Sequence, residues 1–368
     1  MTVYYPEIIF NSSTGSDSAA SGAGPSTAVT GTSSAHTGGI ASTTITFTNT
    51  PDLSGVSVDG SAALWLNTAS GRQWSRITAK DNTAKTVTVE DSFTIASGSA
   101  VSYAIGGKRA TFNETNSRKL FTADAKANWV VTTETDQTIS SALTVTSVGS
   151  PFIVRGSTET NHKVITQSAN TNCFGSGVPN LTLMNLKFQC TNATRTSAGA
   201  YAGTGGNGVK FINCIIGDTV NRLAYAASGI VNNLCLLVGC YVNVTATAIS
   251  TSATSSTVYI ENTFAEIASG QTFLSYGSSS QVQIRRSIFK GGANVVSASQ
   301  GDFTLINSVF FNQSTSAITS AALSSGRVEN CIFHSCGIPL NFPSVQSNNG
   351  LFVNRNVFYN SSSNQNVP

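Results

Sequence analysis

The side chains in this sequence that could do chemistry are a sparse set of carboxylates, seven cysteines and three histidines. From residue 160 onward the acids are Asp218, Glu261, Glu266, Asp302 and Glu329. Cutting a glycosidic bond needs two carboxylates held about 5–10 Å apart. No two of these acids are paired in sequence, so a dyad would require Asp302 and an acid of a neighbouring segment to meet in the fold. The cysteines form no CxxC pair, and their odd number fits free thiols in a reducing compartment. Of His36, His162 and His334, only the last has other metal-type ligands nearby, Cys331 and Cys336, and that spacing matches no known metal pattern. Gly106-Gly-Lys-Arg109 lacks the P-loop spacing and reads as a linker. No Gly-x-Ser-x-Gly context accompanies the many serines. The expectation is a protein with no catalytic residues, no metal and no cofactor.

Composition narrows the class further. Only 10% of the 368 residues are charged and the net charge is +3, against about 25% charged in an average globular protein. There is no basic stripe for nucleic acid, no polybasic anchor, and no run of about 18 apolar residues to cross a membrane. The opening Met1-Thr-Val-Tyr-Tyr-Pro-Glu7 has neither the basic nor the apolar region of a secretory signal. Ser, Thr, Gly, Asn and Ala take the place of the missing charges, a mixture that favours strands joined by turns over helices.

The elements that must position any functional side chain emerge from an internal repeat. From residue 181 the pattern apolar-x-apolar-x-Asn-x-apolar-apolar recurs eight times, at start-to-start spacings of 21 to 28 residues. The copies begin at Leu181, Val209, Cys235, Val258, Val282, Phe303, Gly326 and Leu351. One coil of a parallel β-helix, with three short strands and three turns, has about this length. Leucine-rich and helical repeats are excluded by the missing Leu-x-x-Leu-x-Leu signature and by the scarcity of Ala/Leu/Glu/Lys runs.

Alternation puts the first and third positions on one face. The fifth is Asn in five copies, Asn185, Asn213, Asn262, Asn307 and Asn330. Asparagine tolerates the left-handed conformation of a tight bend, and stacked amides can form a ladder. Gly239 fits such a bend; Arg286 and Arg355 depart from the pattern. The eighth position, Phe188, Ile216, Val242, Ala265, Phe289, Phe310, Phe333 and Phe358, reads as an interior stack. The sixth, with Cys214, Cys240 and Cys331 among Leu, Thr, Ser and Asn, reads as a packing column of small residues. Glu261, Arg285 and Glu329 share the fourth position, so weak ion pairs between coils are expected there.

This strand, Asn bend, strand signature resembles the pectate-lyase-like family of right-handed parallel β-helices over roughly residues 130–360. The resemblance implies an all-β fold and a short capping helix at the start of the stack, for which Ser117–Ala127 is the best candidate. It does not bring the family's activity, because neither paired aspartates nor the Gly-His-Gly with Arg-x-Lys constellation is present. The expected organisation is a low-complexity arm over 1–43, a small antiparallel β-barrel or sandwich over 44–106 and a linker with the capping helix over 107–128. The β-helix follows over 129–360, opening with two irregular coils around Trp129 and Phe152, and a polar tail covers 361–368.

One column points outward. The seventh position alternates with the buried eighth, yet it reads Ile215, Tyr241, Phe264, Ile288, Val309, Ile332 and Val357. A strand apolar on both faces is usually covered on both, here by the chain's own turns or by an oligomer. The arm-plus-β-helix plan resembles virion structural proteins of tailed bacteriophages. That resemblance implies a homotrimer, assembled in the host cytoplasm into the virion. Three roles share the scaffold: a capsid decoration (cement) protein on the major capsid protein, a tail spike or fibre binding host glycan, and a polysaccharide-degrading enzyme. Fold alone does not choose among them. The compact plan favours decoration, and Tyr201, Tyr225 and Tyr276 are the expected stacking platforms if a glycan is bound.

Overall fold

The structure is a computed structural model. It describes residues 7–13, 29–33, 42–56, 58, 62–68, 71–93, 101–105, 108–109, 111–112, 129–145, 152–176, 181–194, 199–203, 208–217, 223, 225–228, 234–251, 256–277, 280–343, 350–362 and 365–366. It divides into two compact units, residues 1–138 with 146–158, and residues 139–145 with 159–368.

The first unit contains a six-stranded antiparallel sheet, in the order Val29–Ser33, Val101–Ile105, Ala63–Thr68, Gly71–Asp81, Thr86–Phe93, Ser42–Thr46. Its alternating apolar residues, Ile45, Leu64, Leu66, Ile77, Val87, Tyr103 and Ile105 among them, are fully buried together. The same unit holds a parallel ladder in which Glu7–Phe10 and Phe152–Gly156 flank Val130–Thr133. Two strands therefore fall inside the segment read as an arm. Glu7–Phe10 carries the apolar run Ile8-Ile9-Phe10, and all three side chains are buried. Val29–Ser33 is small and polar, and it is recruited through backbone pairing with Val101–Ile105. The expected capping helix over Ser117–Ala127 lies outside the described residues.

The second unit is a parallel β-solenoid, and the solenoid as a whole makes about eight turns. Its register reproduces the repeat. Leu181, Val209, Cys235, Val258, Val282, Phe303, Gly326 and Leu351 follow one another as ladder partners along one sheet. The strands after the bend form a second sheet, from Lys163–Gln167 to Val357–Tyr359. A third set closes each coil, and the tail joins it, since Gln365–Asn366 pairs with Leu340–Asn341. In two coils the third set and the first sheet run on as single long strands, Asn294–Ile306 and Ser316–Glu329.

The core is the expected interior stack. Phe289, Phe310, Phe333 and Phe358 are ladder partners whose rings lie within 9° of parallel, with centroids 4.9–5.6 Å apart. Those distances are close to the strand spacing of about 4.8 Å, so parallel-strand register itself sets the aromatic stacking. The last coil departs from the rest: Leu351, Val353 and Phe358 are only half-buried, and Phe352 is 51% exposed.

Candidate functional site

The bend between the first and second sheets is built by the backbone. All eight fifth-position residues have positive φ, from 49° to 65°, including Gly239, Arg286 and Arg355. Each of the first seven sends its N–H to the fourth-position carbonyl of the next coil, as Asn185 does to Ile212 and Arg286 to Ile306. Backbone pairing thus runs through the bend whatever the side chain, which is why arginine is accepted twice. An amide-to-amide bond joins Asn213 Nδ2 to Asn185 Oδ1 at 2.9 Å. Gly239 and Arg286 interrupt the column on either side of Asn262, and among the described residues the amide ladder has this one rung. A second left-handed column follows the second sheet, at Gly291, Asn312, Ser335 and Asn360. The sequence carried its signal in Asn312 and Asn360, each two residues after a stacked phenylalanine.

The sixth position does more than pack. Thr263, Ser287 and Ser308 each donate to the fourth-position carbonyl of their own coil, at 3.1, 2.8 and 3.0 Å. The thiols of Cys214, Cys240 and Cys331 make the same contact at 3.3–3.5 Å. Ser287 Oγ also accepts the N–H of Thr263, and Ser308 Oγ that of Ser287. The fourth-position carbonyls also accept the bend N–H of the preceding coil, so what the hydroxyls of Ser287 and Ser308 uniquely supply is an acceptor for the buried N–H groups of Thr263 and Ser287. Ser287→Ala is therefore expected to cost about 1–3 kcal/mol, more than an ordinary exposed serine. Urea unfolding of the variant measures this, and an unchanged midpoint would mean that the hydroxyl is dispensable.

All seven cysteines are free and buried. Burial pushes the thiols of Cys235 and Cys240 up to about 12 and those of Cys331 and Cys336 up to about 11. None of these four is a thiolate nucleophile near neutral pH. In the unfolded chain a thiol ionises near about 8.5, so their contribution to stability is complete below that value. It is lost progressively as the pH rises from there through about 11–12. Unfolding midpoints are expected to fall across that range, and a thiol reagent at pH 7 is expected to label the folded protein slowly and the unfolded one at once. Fast labelling without unfolding would contradict the buried placement. Cys331 and Cys336 point inward while His334 lies on the outer face, so the one sequence-local metal candidate is not assembled. Among the described residues no group of metal-type ligands converges.

The carboxylates are also set apart. The ladder partners of Asp302 are Gln281 and Ser325, and Ser325 Oγ donates to it at 2.8 Å. Those of Glu261 are Val238 and Arg285, and those of Glu266 are Asn243 and Lys290. Glu261 pairs in register with Arg285, but its ion pair is with Arg286 of the bend, and Tyr259 donates to it as well. Glu329 pairs with Arg327 of its own strand. Such exposed pairs are worth about 0–1 kcal/mol. Asp218 lies outside the described residues. Of the tyrosines read as sugar platforms, Tyr201 and Tyr276 are buried inside the coils, 0% and 4% exposed. The alternation that carries them inward was hidden by the loop-like composition around them. The Tyr225 side chain is not described.

What the structure presents outward is the seventh-position column. Ile215, Tyr241, Phe264, Ile288, Val309, Ile332 and Val357 are successive ladder partners. Phe264, Ile288, Ile332 and Val357 remain 37–55% exposed, so the described turns leave the stripe open. The parallel column two residues on starts polar, with Lys290 bound to Glu266 at 3.2 Å and Tyr241 donating to Glu266 at 2.7 Å. It then becomes aromatic, as the rings of Phe311, His334 and Tyr359 follow one another at 4.8 and 5.0 Å with their planes tilted by 34° and 31°.

No protein-family model and no curated protein sequence matches the chain. Among solved structures, the crystal structure of the tailspike gp61 of Pseudomonas phage phi297 aligns with it over 88% of this chain at 11% identity and a TM-score of 0.19. The alignment spans 64% of that protein's length, and a likeness this slight is no guide to what this chain does.

Proposed function

We propose that this chain is a non-enzymatic structural component of a tailed-phage particle, and within it a capsid decoration protein seated on the major capsid protein. The observation that carries the reading is the apolar column from Ile215 to Val357 along one outer face of the solenoid, exposed at Phe264, Ile288, Ile332 and Val357. An apolar ridge with few charges suits protein–protein contact. The dispersed carboxylates and inward thiols support a scaffold over an enzyme. Packing of the stripe against other copies would give the homotrimer.

A tail spike that binds host glycan is the second reading, and one observation favours it: Tyr359, 62% exposed, ends the aromatic column. The Phe311 and His334 rings lie tilted against their neighbours, which leaves less of their faces for a sugar. Cryo-electron microscopy of particles carrying the protein tests both readings. Density spread over the icosahedral shell supports decoration. Density confined to the tail overturns it and directs attention to Tyr359.

A further inference from the structure

The outer stripe concerns partners; an independent feature lies in the third wall of the solenoid. There Thr272, Asn294 and Ser316 follow one another as ladder partners. Asn294 Nδ2 donates to Thr272 Oγ1 at 3.3 Å, which turns the amide oxygen away from Thr272, towards the coil of Ser316. That oxygen, Asn294 Oδ1, and Ser316 Oγ are both buried and have no hydrogen-bond partner among the described residues. Two such atoms on directly stacked residues are uncommon, since buried polar groups are nearly always satisfied.

Their spacing identifies what fits between them. Ladder partners stand about 4.8 Å apart, and a side chain can lean across that gap, as Asn294 does to Thr272 and Ser325 to Asp302. Asn294 Oδ1 and Ser316 Oγ do not close it, since neither has a partner within hydrogen-bond range among the described residues. A water oxygen about 2.8 Å from each of two partners, with a near-tetrahedral angle between the bonds, spans about 4.6 Å. The bend column offers a contrast: Asn213 and Asn185, two amides in register, close the same gap directly. From this geometry we infer that Asn294 Oδ1 and Ser316 Oγ form a binding site for a single buried water molecule. The water donates to the amide oxygen and bonds the serine hydroxyl, completing a polar column Thr272–Asn294–water–Ser316 through three coils. A second pair of orphaned atoms, Thr251 Oγ1 and Tyr276 Oη, is also in register. A phenol is far longer than a threonine side chain, so the strand spacing does not set their separation and no water is assigned.

A crystal structure of the full chain at about 1.5 Å resolution tests the site. The expected result is one ordered water within about 3.2 Å of both Asn294 Oδ1 and Ser316 Oγ. Direct contact of the two side chains, or an Asn294 amide oxygen satisfied by a protein donor, would overturn the assignment. Stability gives a second reading that needs no crystal. Ser316→Ala is expected to lower the folded-to-unfolded ratio about ten-fold. If one water joins the two residues, Asn294→Leu combined with Ser316→Ala costs clearly less than the two single changes added together. Strict additivity would show that the residues share no bridge.

Discussion

Phe310→Ala is expected to lower stability by about 3–5 kcal/mol, the largest effect of any single substitution considered for this chain. Phe310 is fully buried and lies between Phe289 and Phe333, with its ring nearly parallel to both. Parallel strands fix the spacing of the coils, so the neighbouring rings cannot close the gap and the cavity persists. In a solenoid each coil contacts only its neighbours, and stability is close to a sum of coil and interface contributions. The loss therefore falls on two interfaces at once. Phe358, in the half-buried last coil, has one stacked neighbour, and Phe358→Ala is expected to cost roughly half as much. Urea unfolding of the two variants measures the difference. Equal losses would mean that the stack does not behave as a chain of pairwise contacts.

The second large effect concerns association. Ile288→Asp combined with Ile332→Asp is expected to leave the fold within about 0.5 kcal/mol of the parent, because both side chains are substantially exposed, at 45% and 42%. The same pair places two carboxylates in the middle of the apolar stripe. If the stripe is the contact surface, self-association or attachment to the particle should weaken at least about 100-fold, the cost of burying unpaired charge at an interface core. Light scattering at micromolar concentration reads the oligomeric state, and co-sedimentation with particles reads attachment. A trimer that survives both substitutions would move the interface to another face.

Both experiments depend on a repeat legible from residues alone. Eight copies of one pattern, met at a period near one β-helix coil, set the register that the structure shows, from Leu181 through Leu351. The interior phenylalanine column was equally readable because period-2 alternation is strict within strands. The sixth-position column was legible as a column, but its role was not. The N–H groups that Ser287 and Ser308 satisfy, those of Thr263 and Ser287, meet these hydroxyls only once the coils have stacked. The second left-handed column went unread because only two of its four residues, Asn312 and Asn360 beside Gly291 and Ser335, share a type.

What the sequence by itself determined is the coil. The spacing of apolar positions and the Asn-rich bend specify a parallel β-helix, since alternation and turn chemistry act over neighbouring residues. The tertiary structure decided which long-range partners are recruited and which faces stay open. Val29–Ser33 has the composition of a loose arm, and only pairing with Val101–Ile105, about 70 residues away, makes it a strand, while the apolar Glu7–Phe10 finds its partner about 120 residues away in Val130–Thr133. Glu261 and Arg285 stand in register, yet the left-handed turn at Arg286 delivers a different guanidinium to the carboxylate. Tyr201 and Tyr276 turned inward, while Phe264, Ile288, Ile332 and Val357 were left in the open. Covering a surface depends on where distant turns fall, and that is a property of the folded chain and not of any local pattern.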